Sequence, residues 1–152
     1  MATLLTGSTG FIGSYLLAGL LALGLAAATS VNHAADPRLN PLFEAGRETY
    51  RQNAVDVFSD CPSRERAGWL CDSFFTARVA YDLGGDTRLE KNFFENYLLP
   101  ASFAHLPDGM LPMCYPADHY DGVFIPNWAL WFVVQLEEYA RRSGDRGLVE
   151  AL

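Results

Sequence analysis

The spacing of apolar residues divides the chain into two regimes that meet near residue 35. Before that point there is no Asp, Glu, Lys or Arg, and the run from Phe11 to Ala28 is almost wholly apolar or small. After it, charges and aromatics arrive together and the apolar positions recur at helical spacing. "NPLFEAGRETYRQNAVDVF" has Pro41 near a helix start and sets Leu42, Phe43, Gly46 and Tyr50 on one side. Pro62 suits the first turn of a second helix, capped by Asp60 or Cys61 and running to about Leu83 before "GGD". "TRLE", Thr87 to Glu90, reads as a capping box opening a third helix that Pro100 closes. A fourth is expected from about Asn127 to Arg142, ending at "SGD", and a fifth is cut off at Leu152.

Two of these endings resemble each other. "YDLGGDTRLEKNF" and "YARRSGDRGLVEAL" share a Tyr, a Gly-Asp turn and a leucine three residues after Asp86 or Asp145. The recurrence predicts an all-α region of stacked helical hairpins over residues 35–152, preceded by a separate apolar, Gly-rich segment over 1–34. Between the third and fourth helices lies a Pro-rich stretch, "PASFAHLPDGMLPMCYPADHYDGVFIPN", without clear periodicity. Loops of that length in a compact domain are usually functional or disordered, and Phe103, Tyr115, Tyr120 and Phe124 argue against disorder.

Three readings compete for the first segment. "TGSTGFIGS" follows an apolar run and precedes another, a strand, turn and helix in order. It resembles the Thr-Gly-x-x-Gly-x-x-Gly fingerprint of short-chain dehydrogenases and nucleotide-sugar epimerases, in which Gly7, Gly10 and Gly13 would let the backbone approach a dinucleotide pyrophosphate. The acid expected about twenty residues on is represented only by Asp36 beside Pro37, and the Tyr-x-x-x-Lys pair of that family is absent because Thr87 stands four before Lys91. The alternatives are a secretory signal, which lacks a basic residue ahead of its apolar core, and a membrane helix interrupted by Gly13, Ser14, Gly19 and Gly24.

Composition narrows the chemistry. At 152 residues the chain has room for one ordinary core, and 50% hydrophobic with 19% charged residues is a globular balance. A net charge of −7 with a single lysine, Lys91, argues against nucleic acid as a partner. Cys61, Cys71 and Cys114 form no Cys-x-x-Cys pair and read as reduced thiols; with three scattered histidines no metal site is expected, and the balance tips to a cytoplasmic rather than a secreted chain.

The informative stretch is "SDCPSRERAGWLCDS". If residues 62–83 are helical, Glu65, Gly68, Trp69 and Asp72 fall at i, i+3, i+4 and i+7, on one face, with Asp60 at the helix mouth. Two readings of that face stand. It could be a solvated ion-pair surface with Trp69 turned into the core. It could equally be a sugar site, where an indole stacks on apolar sugar faces, carboxylates hold hydroxyls, and an acid of raised pKa protonates the leaving oxygen.

The same residues resemble the signature of the bacterial α-L-rhamnosidases, Asp-Cys-Pro-x-Arg-Glu-Arg-x-Gly-Trp-x-x-Asp, here "DCPSRERAGWLCD", and the similarity covers about residues 35–152. The resemblance implies part of an (α/α)6 toroid of six helical hairpins and hydrolysis of terminal α-L-rhamnosides with inversion, without a cofactor. It implies Glu65 as general acid, Asp60 and Asp72 on rhamnose hydroxyls, Arg64 placing the acid, and Trp69 and Trp128 lining the sugar subsite. The loop around Asp118, His119, Tyr120 and Asp121 would close over the sugar, although a turn role suits His119 as well. It puts the general base, a glutamate, well past Leu152, so the chain is expected to carry the acid half of the machinery, as a fragment whose exposed helical edges could self-associate. Glu137 and Glu138, late in their helix, are poor substitutes for that base.

Overall fold

A computed structural model describes residues 36–117 and 122–152. The described residues form five α-helices: α1 (Leu39–Asn53), α2 (Leu70–Gly84), α3 (Arg88–Glu95), α4 (Pro126–Ser143) and α5 (Arg146–Ala151). A 3₁₀ turn, Asn96–Leu98, extends α3, and the only extended pairing among the described residues is two isolated bridges, Ala54 with Phe58 and Trp69 with Cys114. No described helix is long and apolar enough to cross a membrane. The dinucleotide, signal and membrane-helix expectations for residues 1–34 lie outside the described residues.

Helix α1 buries the face that its spacing predicts. Gly46 is buried, and Phe43 and Tyr50 pack with Leu83 around Val79 of α2, while Leu42, expected on that face, is 41% exposed. The outer surface carries the pairs Arg47–Glu44 and Arg51–Glu48 one turn apart. Helix α2 is buried nearly all round, from Leu70 through Ala80, as a helix with neighbours on several sides must be.

Helices α2 and α3 form one hairpin and α4 and α5 a second, and both turns use the same device. Gly85 (φ 65°) and Gly144 (φ 73°) take the left-handed conformation and donate to Tyr81 O and Ala140 O, closing α2 and α4. The aspartate that follows then opens the next helix: Asp86 Oδ1 accepts from Arg88 N at 2.8 Å, and Asp145 Oδ1 from Leu148 N at 3.2 Å. The Gly-Asp recurrence seen in the sequence is therefore a repeated hairpin turn.

The capping box is not formed. Thr87 makes no side-chain cap, and Glu90 is 1% exposed. Its carboxylate turns inward because cations and amides of α4 compensate it there: Arg142 Nη2 donates to Glu90 Oε1 at 2.6 Å and Gln135 Nε2 at 3.3 Å. Ser73 of α2 donates to Gln135 Oε1 at 2.8 Å, Arg142 Nη1 reaches Glu138 at 2.8 Å, Arg78 Nε reaches Glu138 at 2.9 Å, and Lys91 Nζ reaches Asp145 at 2.8 Å. This polar seam joins the two hairpins along their length. Around it runs an aromatic core in which Phe94 meets Phe132 and Tyr139 at ring separations of 5.1 and 5.4 Å and Tyr97 meets Phe132 at 4.7 Å.

Candidate functional site

The second helix does not begin at Pro62. It begins at Leu70, with Trp69 as its extended N-cap (φ −66°, ψ 129°), and residues 62–69 are irregular. The backbone groups that a helix would need there are committed elsewhere. Gly68 N donates to Pro116 O (3.0 Å), Tyr115 N to Gly68 O (2.9 Å) and Leu70 N to Met113 O (3.3 Å), so the segment pairs antiparallel with the Pro-rich loop. Arg66 has φ 51°, outside helical geometry. The expected single helical stripe is therefore absent: of Glu65, Gly68, Trp69 and Asp72, only Asp72 lies on the helix, in its first turn. The glycine gap exists, but the chain's own backbone fills it. A Cβ on Gly68 would stand 2.3 Å from Tyr115 O.

Asp60 is likewise not a helix cap. Its N–H donates to Ala67 O at 3.1 Å and its Oδ1 accepts from Ala67 N at 3.0 Å, closing the loop between them. Inside that loop Cys61 Sγ accepts the Glu65 N–H at 3.3 Å, and the Arg64 guanidinium lies 2.6 Å from Glu65 Oε1. Arg64 is 80% exposed and Glu65 24%, so the pair faces solvent without being wholly in it.

What the loop achieves is convergence. Burial pushes Asp72 up to about 7, and the negative charges of Asp60 and then Glu65 add to that shift. Asp60 and Glu65 thus act electrostatically on Asp72, two acids of the loop on one at the start of α2. Burial, with Asp72 adjacent, also raises the neighbouring Cys71 thiol to about 12, which leaves it inert as a nucleophile at neutral pH. Cys71, Phe74 and Phe75 pack against Trp128, in the first turn of α4, and Trp131, whose ring is 4.7 Å from Phe74. Both Trp69 Nε1 and Trp128 Nε1 are buried donors without a partner among the described residues.

Asp60, Arg64, Glu65 and Asp72 are therefore drawn together, Trp69 caps the helix that bears Asp72, and Trp128 reaches that helix's first turn. Asp118, His119, Tyr120 and Asp121 lie outside the described residues, as do Gly7, Gly10 and Gly13. Glu137 and Glu138 are held in ion pairs, the first by Arg141 and the second by Arg78 and Arg142. Tyr115 and Cys114 were not foreseen as parts of the site. The sequence marks their segment as a loop, and only the forced glycine at position 68 hints that backbone approaches there. Among the described residues no group of three His, Cys, Asp or Glu could hold a metal ion.

No curated protein and no solved structure matches the chain. Residues 27–152 match the family described as the bacterial alpha-L-rhamnosidase 6 hairpin glycosidase domain. The match takes in both helical hairpins, the loop that carries Asp60 and Glu65, and the start of α2. The chain belongs to the bacterial α-L-rhamnosidase six-hairpin glycosidase family.

Proposed function

We propose that this glycosidase-family chain acts on terminal α-L-rhamnosides by an inverting acid/base mechanism, with Glu65 as the general acid. The observation that carries the reading is the convergence of Asp60 and Glu65 on Asp72, whose proton affinity is raised by burial and then by their two charges. Glu65 is the member of the group that the loop leaves open to solvent, with Arg64 2.6 Å from its Oε1 to fix its direction, and reach to the leaving oxygen is the first requirement of a proton donor. Asp60 and Asp72 would take rhamnose hydroxyls. Trp69 and Trp128 would wall the subsite, with the segment Asp118 to Asp121 closing it.

An inverting pair places its second carboxylate roughly 6.5–9.5 Å from the first, with water between. We assign none of the described carboxylates to that base, since Glu137 and Glu138 are committed to arginines.

Leaving groups test the acid. Glu65→Gln should lose turnover of methyl α-L-rhamnoside while retaining most of it on a nitrophenyl rhamnoside, whose leaving group needs no proton. The raised pKa of Asp72 favours a second assignment, in which that residue holds the transferred proton. If Asp72→Asn, and not Glu65→Gln, shows the leaving-group dependence, the assignment of Glu65 is wrong. Trp69→Ala should weaken rhamnose binding by titration calorimetry in either case.

Self-association has its own support, because α4 exposes Leu130, Val133 and Val134 at 66%, 61% and 42% on its outer side. Elution volume in size exclusion that falls with rising protein concentration, and stops doing so in Val133→Glu, would establish it.

A further inference from the structure

A cleft of about 480 Å³ lies at the far end of the first hairpin, between the end of α1, the residues that follow it and the turn into α3. That volume is within the range of about 300–1,000 Å³ at which small molecules are held. From Asp72 to Gly84 helix α2 climbs about 18 Å, at a rise of about 1.5 Å per residue, so the cleft and the acidic corner stand at opposite ends of it. None of the residues that line the cleft belongs to the corner.

The floor of the cleft is apolar. The half-buried ring of Tyr50 lies with Ala54, Val55 and Leu89, and Val55 is 66% exposed, a large apolar side chain that nothing among the described residues covers. The rim is polar and already fixed. Arg51 is held by Glu48 through Nε (2.9 Å) and Nη2 (2.7 Å), Arg88 Nε donates to both carboxylate oxygens of Asp86 (3.1 and 3.0 Å), and Asn92 Nδ2 donates to Asp56 O (2.5 Å). Each guanidinium spends one edge on its acid and keeps the other N–H donors of its fork. Groups ordered before a ligand arrives lose little freedom when it binds.

Ring and rim together choose the ligand class. A flat ring among aliphatic side chains suits the C–H face of a pyranose, and guanidinium forks, an amide and carboxylates suit its hydroxyls, which both donate and accept. The charges do not suit an anion. Arg51 is matched by Glu48 and Arg88 by Asp86, with Asp56 in addition, so the cleft has no surplus of positive charge to draw a phosphate or sulfate.

We propose that this cleft is a second carbohydrate site, taking one neutral pyranose unit with its apolar face on Tyr50 and Val55 and its hydroxyls on Arg88, Asp86 and Asn92. It rests on the glycoside reading of the chain only in the choice of sugar.

Chemical-shift mapping of the full chain by NMR with methyl α-L-rhamnoside tests it. The Val55 amide and the Asn92 side-chain amide should follow one saturating curve, distinct from that of the Ala67 and Gly68 amides beside the corner. Arg88→Ala, at a side chain 90% exposed, should weaken the first curve about tenfold and leave the second as it was. Val55→Ser should weaken the first about fivefold through lost apolar contact. Val55 and Asn92 resonances that do not move, or that keep their affinity in both variants, overturn the proposal. So does inorganic phosphate that shifts the same resonances at lower concentration, which would mark an anion site. Absence of the Ala67 and Gly68 curve alone refutes the proposed function and leaves the cleft standing, whereas absence of the Val55 and Asn92 curve alone removes the second site and leaves the corner.

Discussion

Replacing Asp72 by Asn should make the protein more stable at alkaline pH and leave it nearly unchanged in acid. The carboxyl titrates at about 7 in the folded chain against 3.8 ordinarily, because it is half-buried and faces the charges of Asp60 and Glu65. The native state therefore binds this proton more tightly than the unfolded chain does. Its contribution to stability is present in full below about pH 4 and is lost as pH rises through about 7. A shift of some three units at 1.36 kcal/mol each is a cost of up to about 4 kcal/mol once the group is ionised. Against this, an acid in the first turn of α2 gains about 0.3–1 kcal/mol from the helix N-terminus, which the amide forgoes. The net gain expected for Asp72→Asn at about pH 8.5 is about 2–4 kcal/mol, or about 5–15 °C in Tm for a chain this size. Urea denaturation followed by tryptophan fluorescence across the range between these pH values measures it. A stability difference that does not vary with pH, or a variant less stable than its parent in alkali, would show that burial and the two neighbouring acids do not act on Asp72 as described. Asp60→Asn offers a control, since removing the nearer charge should move the Asp72 titration downward.

Arg142→Met leaves Glu90 buried without its cation and should cost about 3–5 kcal/mol at neutral pH. Burial already raises Glu90, so its protonation on acidification should shrink that deficit, and a deficit constant with pH would contradict the pairing. Gly68→Ala forces Tyr115 O away from a 2.3 Å approach and should destabilise by about 1–3 kcal/mol in thermal melts, with rhamnose binding weakened as well. A neutral Ala variant would mean that the two segments are not locked together. Asp145→Ala removes the acceptor of the Leu148 amide, whose hydrogen exchange should accelerate while that of the Arg88 amide, capped by Asp86, stays as it was.

What the sequence made legible was whatever local chemistry decides. The fourth helix, expected from about Asn127 to Arg142, spans Pro126–Ser143, because Pro126 at its start and Gly144 past its end act on their own turns. The Gly-Asp recurrence was read correctly for the same reason. The errors share a different cause. Thr87 and Glu90 have capping-box spacing, but Arg142, 52 residues from Glu90, offers the carboxylate a buried ion pair that the box cannot match. Residues 62–69 have helical spacing, but Ala67 is tied back to Asp60 and Gly68 to Tyr115 and Pro116, from a loop whose aromatics signal order and whose partner nothing local names. At the site, the identities of Asp60, Arg64, Glu65 and Asp72 were visible. The route by which they meet was not.

That route bears on why the corner is a site at all. Along the seam between the hairpins each buried carboxylate has its cation, Glu90 with Arg142 and Glu138 with Arg78 and Arg142, and the two arginines hold Glu138 below the ordinary carboxylate range. Structural packing in this protein thus resolves its charges. At the corner of Asp60, Glu65 and Asp72 burial and like charge act together instead, on Asp72, and the Arg64 beside Glu65 is mostly in solvent. A helical stripe would have spaced the acids along an axis, whereas the closed loop brings two of them to face a third and leaves one holding a proton near neutrality. A fold that buries Asp72 with two further acids acting on it is retaining a local conflict, and such conflicts persist where a ligand or a reaction uses them. Rhamnose, or a substrate bearing it, should therefore relieve the strain on binding. Its affinity should change with pH through about 7 in the chain with Asp72 and lose that dependence in Asp72→Asn. A binding curve indifferent to pH in both would detach the sugar from this corner.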